Sequence, residues 1–480
     1  MLAPARRSEK LALLAIVIAY VVLAVLYATQ TPPWQVPDEP AHYNYVRQLA
    51  EGVGLPVLEA PDWDLDYLGE LTGSGFDPQV LADLPAVQYE DHQPPLFYLL
   101  AAPVYALSGG SLIALRLVSV VPGIGVVLCA YGIGRAASGD GSVALGTAAF
   151  VAFVPQHVAI LAGAGNDSLA ELVVGAGTLL ALWYVNGAGR ENALRVTPLH
   201  LGLVMGIGLL TKVSTLVLGP VCALALWLRW RRAESPRLAD LVRAAAWFAL
   251  PALALGGLWW ARNVSVYGWP DVLGLARHDA VVVGQPRTAD WIAANGFGGW
   301  LAEGVRVTFQ SFWGQFGWMG VPMPGWVYAA LLAFVLFGWA GWVPLLIMGA
   351  GHWRMNSPAI PKKSAEADSS GQSSPGYFGR YRDALLLLLA LGVFGMLAFL
   401  YYNTSFVQFQ GRYLYPALPA FALGLALGWR GWATLAGRRV AWRIARRTVC
   451  WLPAWIMWGL AGLSAYALWR FVIPNLASWP

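Results

Sequence analysis

The stretch Pro37-Asp38-Glu39-Pro40-Ala41-His42-Tyr43-Asn44-Tyr45-Val46-Arg47 gathers two adjacent carboxylates, a histidine and two tyrosines in a chain of which only 12% is charged. A carboxylate beside a histidine suits general acid–base chemistry, where the proton acceptor must lie within hydrogen-bond reach of the reacting group. Pro40 fits the first position of a helix, where a missing N–H costs nothing, so Glu39 is expected at the N-cap and Asp38 just before it. The positive end of that helix favours ionised carboxylates. The same tripeptide also makes an ordinary capped helix start, so its weight depends on what the rest of the chain places beside it.

Composition sets the frame. Of 480 residues, 58% are hydrophobic and 25 are Trp, with a mean hydropathy of +0.55, values of an all-α polytopic membrane protein with aromatic belts at the bilayer surfaces. Cys129, Cys222 and Cys450 lie in or beside apolar runs without CxxC spacing, and read as core residues. A span needs about 20 mainly apolar residues. Eleven are expected, near 11–28, 112–134, 142–162, 168–185, 198–211, 213–229, 243–261, 325–349, 384–402, 413–429 and 449–471. The run after Arg6, Arg7 and Lys10 is too long for a signal-peptide core and reads as a retained anchor.

Two choices decide the topology. Pro94 to Leu107 is apolar but short and opens on two prolines, so it is placed in the interface. The run 198–229 is split at Lys212. The N-terminus then faces the cytoplasm, with 22 basic and 8 acidic residues on that side and 9 basic and 18 acidic on the outer side. Cytoplasmic loops collect Lys and Arg, so orientation accounts for the basic excess and no nucleic-acid partner is needed. Residues 350–382, with Lys362, Lys363 and a Ser/Gly/Pro mixture, read as a cytoplasmic linker. The large outer segments are 29–111 and 262–324, the second rich in Trp and Gly and expected to pack on the membrane surface.

On this topology the polar residues that are hardest to place converge on the outer face: Asp38, Glu39, His42, Asp91, His92, Arg116, Asn166, Asp167, Lys212, Arg262, Asn263 and Arg412. Charges at membrane depth usually line a cavity or pair with one another. Arg116 and Arg412 could also snorkel to the headgroups, and Glu171, a turn below Asp167, could pair with one of the cations. His42 and His92 with the carboxylates leave room for a divalent metal, but no HxxxH or HExxH spacing assigns one. Neither GxxxxGK[ST] nor a strand–GxGxxG–helix unit is present, which argues against nucleotide chemistry. A transporter or lipid flippase would also bury charges between helices. Against it stand the one-sided placement and the lack of an inverted repeat of broken spans.

Several patches then share a pattern: Asp38-Glu39 after the first span, His92-Gln93-Pro94-Pro95-Leu96, Arg116-Leu117-Val118-Ser119, Gly165-Asn166-Asp167-Ser168, Leu210-Thr211-Lys212, Trp259-Trp260-Ala261-Arg262-Asn263 and Gln410-Gly411-Arg412-Tyr413. Their order and common side resemble the GT-C superfamily of membrane glycosyltransferases, in particular its protein O-mannosyltransferase and lipid A aminoarabinose-transferase branch. The likeness covers about residues 10–270 plus the Gly411-Arg412-Tyr413 patch. It implies a GT-C-like module over 1–270, the second outer loop over 262–324, and C-terminal helices over 325–480.

The implied reaction moves a sugar from a polyprenyl-phosphate carrier to a lipid, glycan or protein acceptor, with inversion, on the outer face of a plasma membrane. Asp38 would be the base, with Glu39 assisting. Arg412, Lys212, Arg262 and Arg116 would hold the donor phosphate. His42, Tyr43, His92, Asn166, Asp167 and Tyr413 would contact substrates.

Overall fold

The computed structural model describes residues 7–187, 196–347, 377–439 and 448–476. They form an all-helical bundle; among them the only strands are Gln315–Phe316 and Val321–Pro322, an antiparallel pair of two residues each. Eight helices are long and apolar enough to cross a membrane, or nine if Gly141–Phe153 and Pro155–Leu161 make one span. The eleven expected runs all fall on helical segments. Two do not meet that measure: Pro198–Leu209 is only 12 residues long, and Leu418–Arg439 is helical but is not among the eight. The linker expected over 350–382 lies largely outside the described residues; its last residues open the helix Tyr377–Ser405.

The first span, Arg7–Gln30, has apolar side chains all round. Ile16, Tyr20, Leu23 and Tyr27 pack inward, whereas Leu11, Leu14, Ile18 and Val22 stay exposed, as on a lipid-facing helix. The expected 142–162 span is bent by 64°. Pro155 has no N–H to continue the ladder, and Val154 is extended (φ −65°, ψ 121°). The carbonyl of Val151 is taken instead by His157 Nδ1 at 2.7 Å, and His157 Nε2 reaches Glu171 Oε2 at 2.7 Å. Glu171 thus pairs with a histidine across the bundle, not with an arginine or lysine.

The split at Lys212 is present in the backbone. The Pro198–Leu209 helix ends, Lys212 is extended (φ −164°, ψ 145°), and a 3-10 turn over Val213–Val217 leads into Leu218–Trp230. The short helix packs closely on Leu238–Tyr267. A Cβ on Gly202 would lie 2.1 Å from the Phe248 carbonyl oxygen, so only glycine lets the two backbones approach there.

Beside this bundle residues 29–111, the segment expected on the outer side, fold into the helices Glu39–Ala50, Leu65–Gly73 and Leu96–Ser108, with short 3-10 turns between them. Its small core of Leu71, Phe76, Val87 and Tyr89 includes Val282 from the second outer segment, so the two segments form one cap. Leu96–Ser108, a 13-residue, mainly apolar helix preceded by Pro94-Pro95, falls where a short helix is expected over Pro94 to Leu107.

Candidate active site

The acidic segment divides its two carboxylates between two tasks. Glu39 is fully buried. Its Oε1 accepts from Arg116 Nε at 2.8 Å and its Oε2 from Arg116 Nη2 at 2.7 Å. The same carboxylate accepts the backbone N–H groups of Trp34 (3.0 Å) and Ala164 (3.1 Å). Arg116 also donates to the carbonyls of Ala28, Thr31 and Pro32. This bidentate pair joins the end of the first span, the first outer helix, the second span and the loop before Asp167. Both side chains are buried, and every nitrogen of the Arg116 guanidinium donates to Glu39 or to one of these carbonyls. Arg116 does not snorkel, being 2% exposed.

The helix also starts one residue earlier than expected: Glu39 is its first residue and Asp38 its N-cap, without a side-chain capping bond. Asp38 has φ 67°, a left-handed conformation unusual outside glycine and found at strained functional positions. That turn directs its carboxylate away from the Glu39–Arg116 pair. Its Oδ2 accepts from Arg412 Nη2 at 2.5 Å and its Oδ1 from the Tyr89 hydroxyl at 2.9 Å. Burial alone would raise the Asp38 pKa, but Arg412 and then His42 outweigh it and hold the carboxyl down to about 2.

Arg412 stands on the 3-10 segment Gly411–Ala417, its guanidinium carbon 5.2 Å from the Tyr413 ring. Gly411 N–H donates to Ser311 Oγ at 2.8 Å. A Cβ there would lie 2.4 Å from the Phe312 backbone nitrogen, so a glycine is needed to seat Arg412. The second cation, Lys212, donates to Asp167 Oδ1 at 2.6 Å. The two pairs are neighbours, since Asp167 contributes to the field at Arg412 and Lys212 to that at His42. All four groups are partly accessible, at 10 to 26% exposure, unlike Glu39 and Arg116.

His42 and Asn166 meet behind this cluster. His42 Nδ1 lies 2.9 Å from the Tyr98 hydroxyl, to which Asn166 Nδ2 also donates at 3.2 Å, and Tyr98 is stacked on Tyr45. Burial lowers the His42 pKa, partly offset by Glu90. The other expected residues are directed elsewhere. Tyr43 donates to the Gly110 carbonyl at 2.7 Å. His92, 4% exposed, packs 4.5 Å from the His278 ring, and burial lowers its pKa to about 4. Arg262 is held by the Pro56 carbonyl, Asn263 Oδ1 and Tyr267, over the Trp259 ring. It anchors the first outer segment to the Leu238–Tyr267 helix. Asp91 accepts from Gln48 Nε2 at 2.8 Å; burial raises its pKa to about 8.

Tyr89 and Glu90 were not singled out by the sequence. They precede Asp91-His92, and the polar run Glu90-Asp91-His92-Gln93 is the signal that could have marked them. Tyr89 binds Asp38 on one side and borders, on the other, a cavity of about 490 Å³ lined by Asp62, Trp63, Asp66 and Tyr67. A small apolar crevice of about 10 Å³ lies at Lys212 between Pro94, Leu209, Leu216, Trp259 and Trp260. Among the described residues no three His, Cys, Asp or Glu side chains are grouped to hold a metal ion.

A cation pair, a hydrogen-bonded carboxylate and an apolar crevice are therefore collected where the first outer segment meets the bundle. Residues 92–255 match the family model described as dolichyl-phosphate-mannose-protein mannosyltransferase. The chain resembles the GT-C glycosyltransferases. The matched segment contains His92, Arg116, Asn166, Asp167 and Lys212, and ends before Arg262 and Arg412.

Among solved structures, ArnT from Cupriavidus metallidurans bound to undecaprenyl phosphate is similar at 16% identity and a TM-score of 0.46, over 97% of this chain and 74% of that one. The oligosaccharyltransferase AglB from Archaeoglobus fulgidus, in complex with an inhibitory peptide and a dolichol-phosphate, gives 14% identity and a TM-score of 0.47, over 96% of this chain and 56% of that one. The chain thus spans little more than half the length of the archaeal protein. Compared with curated proteins, the chain shows no significant match.

Proposed function

We propose that this protein is an inverting glycosyltransferase that moves a sugar from a polyprenyl-phosphate carrier to an acceptor hydroxyl on the outer face of the membrane. The observation that carries the reading is the position of Lys212. It lines a small apolar crevice with Pro94, Leu209 and Trp259, and it is bonded to Asp167, whose field reaches Arg412. A lipid phosphate needs both surroundings, a cation for its head and an apolar groove for its tail.

Each cation is matched by a carboxylate, Lys212 by Asp167 and Arg412 by Asp38. A carrier phosphate reaching this point competes for the same two cations. As Arg412 turns to the phosphate, Asp38 loses the neighbour that keeps its pKa low and becomes a stronger base. Its oxygen then takes the proton of the acceptor hydroxyl while that oxygen bonds to the anomeric carbon. The bond from that carbon to the phosphate oxygen breaks, and its electron pair leaves with the carrier phosphate. Arg412 and Lys212 hold the charge that grows there. General-base assistance of this kind contributes about 10²–10⁴-fold. The excess of Lys and Arg on the opposite loops supports an outer-face site in a plasma membrane with the N-terminus in the cytoplasm.

The test uses purified protein in nanodiscs with a panel of polyprenyl-phosphate sugars and a broad acceptor mixture, following release of free polyprenyl phosphate. Wild type is expected to release it and Asp38→Asn to lose about 100-fold or more with the fold retained. Equal rates in the two proteins would remove Asp38 as base. Passage of unmodified lipid across the bilayer of sealed vesicles carrying the protein, without release in the nanodisc assay, would replace the transferase by a flippase.

A further inference from the structure

The carboxylates around the cluster differ in what their oxygens touch. Both oxygens of Glu39 bind Arg116, and those of Asp38 bind Arg412 and Tyr89. Asp167 Oδ1 binds Lys212. Glu90 differs, because its Oε2 is buried and has no hydrogen-bond partner among the described residues. Gln93 reaches its carboxyl, and its charged neighbours are His42, Asp38 and Lys212. Asp91 also has an unpartnered oxygen, but it is 1% exposed and its carboxylate turns to Gln48.

Displacement with inversion puts the attacking oxygen, the anomeric carbon and the departing phosphate oxygen in one line. With Asp38 at the attacking end and Lys212 at the leaving end, the sugar ring lies between them. Glu90 directly follows Tyr89, whose hydroxyl donates to Asp38, so its backbone is tied to the attacking end of that line. A buried acceptor oxygen without a donor is costly, and persists where a ligand supplies the donor. A phosphate brings acceptors and negative charge to such a group, whereas sugar hydroxyls bring donors.

We infer that Glu90 contacts the transferred sugar, its Oε2 accepting a hydrogen bond from a sugar hydroxyl, and so helps to determine which donor is used. This rests on the transferase reading above. Burial raises the Glu90 pKa, and either protonation state leaves an oxygen able to accept. His42, bonded through Nδ1 to Tyr98, packs its other ring edge against Gly165.

The experiment measures equilibrium binding to the full chain in nanodiscs of bare undecaprenyl phosphate and of the same carrier bearing mannose, glucose, galactose or N-acetylglucosamine. Wild type is expected to bind at least one glycosylated carrier about 10-fold or more tighter than the bare carrier, as one hydrogen bond to a charged group allows. Glu90→Ala abolishes that increment and keeps the affinity for the bare carrier, which also reports an intact fold; Glu90→Gln keeps part of the increment. An undiminished increment in Glu90→Ala, or none in wild type, overturns the role of Glu90 alone. If wild type binds neither lipid, or if Lys212→Ala and Arg412→Ala bind the bare carrier as wild type does, the transferase reading falls and the sugar contact with it.

Discussion

Two consecutive carboxylates with opposite fates give the sharpest test of this site. Asp38→Asn is expected to stop turnover and leave the fold in place; Glu39→Ala is expected to do the reverse damage first, to stability. Glu39 is 0% and Arg116 2% exposed. Removing the carboxylate takes away two charge-assisted bonds from Arg116 and the acceptor for the Trp34 and Ala164 N–H groups. Breaking one side of such a buried pair costs about 3–5 kcal/mol, because the guanidinium is left charged without a partner. The carbonyls of Ala28, Thr31 and Pro32 still accept from it, which places the expected loss toward the lower end.

The assay is thermal unfolding in a fixed detergent, followed by intrinsic tryptophan fluorescence at one scan rate, with Arg116→Met and the double variant alongside. Each single variant is expected to unfold well below wild type. The double variant should recover part of the loss, since replacing a whole buried ion pair by apolar groups is often neutral. Wild-type stability in Glu39→Ala with selective loss of turnover would refute the reasoning and return Glu39 to the chemistry.

Further outcomes follow from the other pairs. Arg412→Ala and Lys212→Ala should each weaken carrier binding by about 10-fold or more, as removal of a charge-assisted bond to phosphate implies, measured by titration with undecaprenyl phosphate. Asp91 has its pKa raised to about 8, so folding favours its protonated form. Its contribution is fully present below the unfolded value of roughly 4 and is lost as pH rises through about 8, so Asp91→Asn should match wild type in melting near pH 4 and exceed it near pH 8.5. Gly411→Ala should displace Arg412 by the contact with the Phe312 backbone, lowering turnover more than stability; a variant with wild-type kinetics would show that the 3-10 segment shifts freely.

The spans were legible because a bilayer demands long apolar runs, and the break at Lys212 because a charge inside such a run must reach an interface or a partner. Pro94-Pro95 marked the start of Leu96–Ser108 for the same local reason, a residue without an N–H at a helix entrance. What the sequence could not supply was pairing. Nothing local tells Glu39 from Asp38; the difference arises from a left-handed backbone at Asp38 and from Arg116 arriving on another helix. Arg262 carries the same charge as Arg412, but the Pro56 carbonyl holds it to the cap and two aromatic rings of its own helix flank it. Glu90 was passed over because a half-buried glutamate in a loop is unremarkable until its neighbours are known.

The Asp38–Arg412 bond joins residues 374 positions apart. Its carboxylate belongs to the first segment to follow the anchor helix, and its cation to a segment laid down after most of the spans. During synthesis Asp38 therefore waits for its partner through the insertion of nearly the whole bundle. Formation of this pair is in effect a checkpoint on assembly: a chain stopped before residue 412 leaves Asp38 without the cation that holds its carboxyl down.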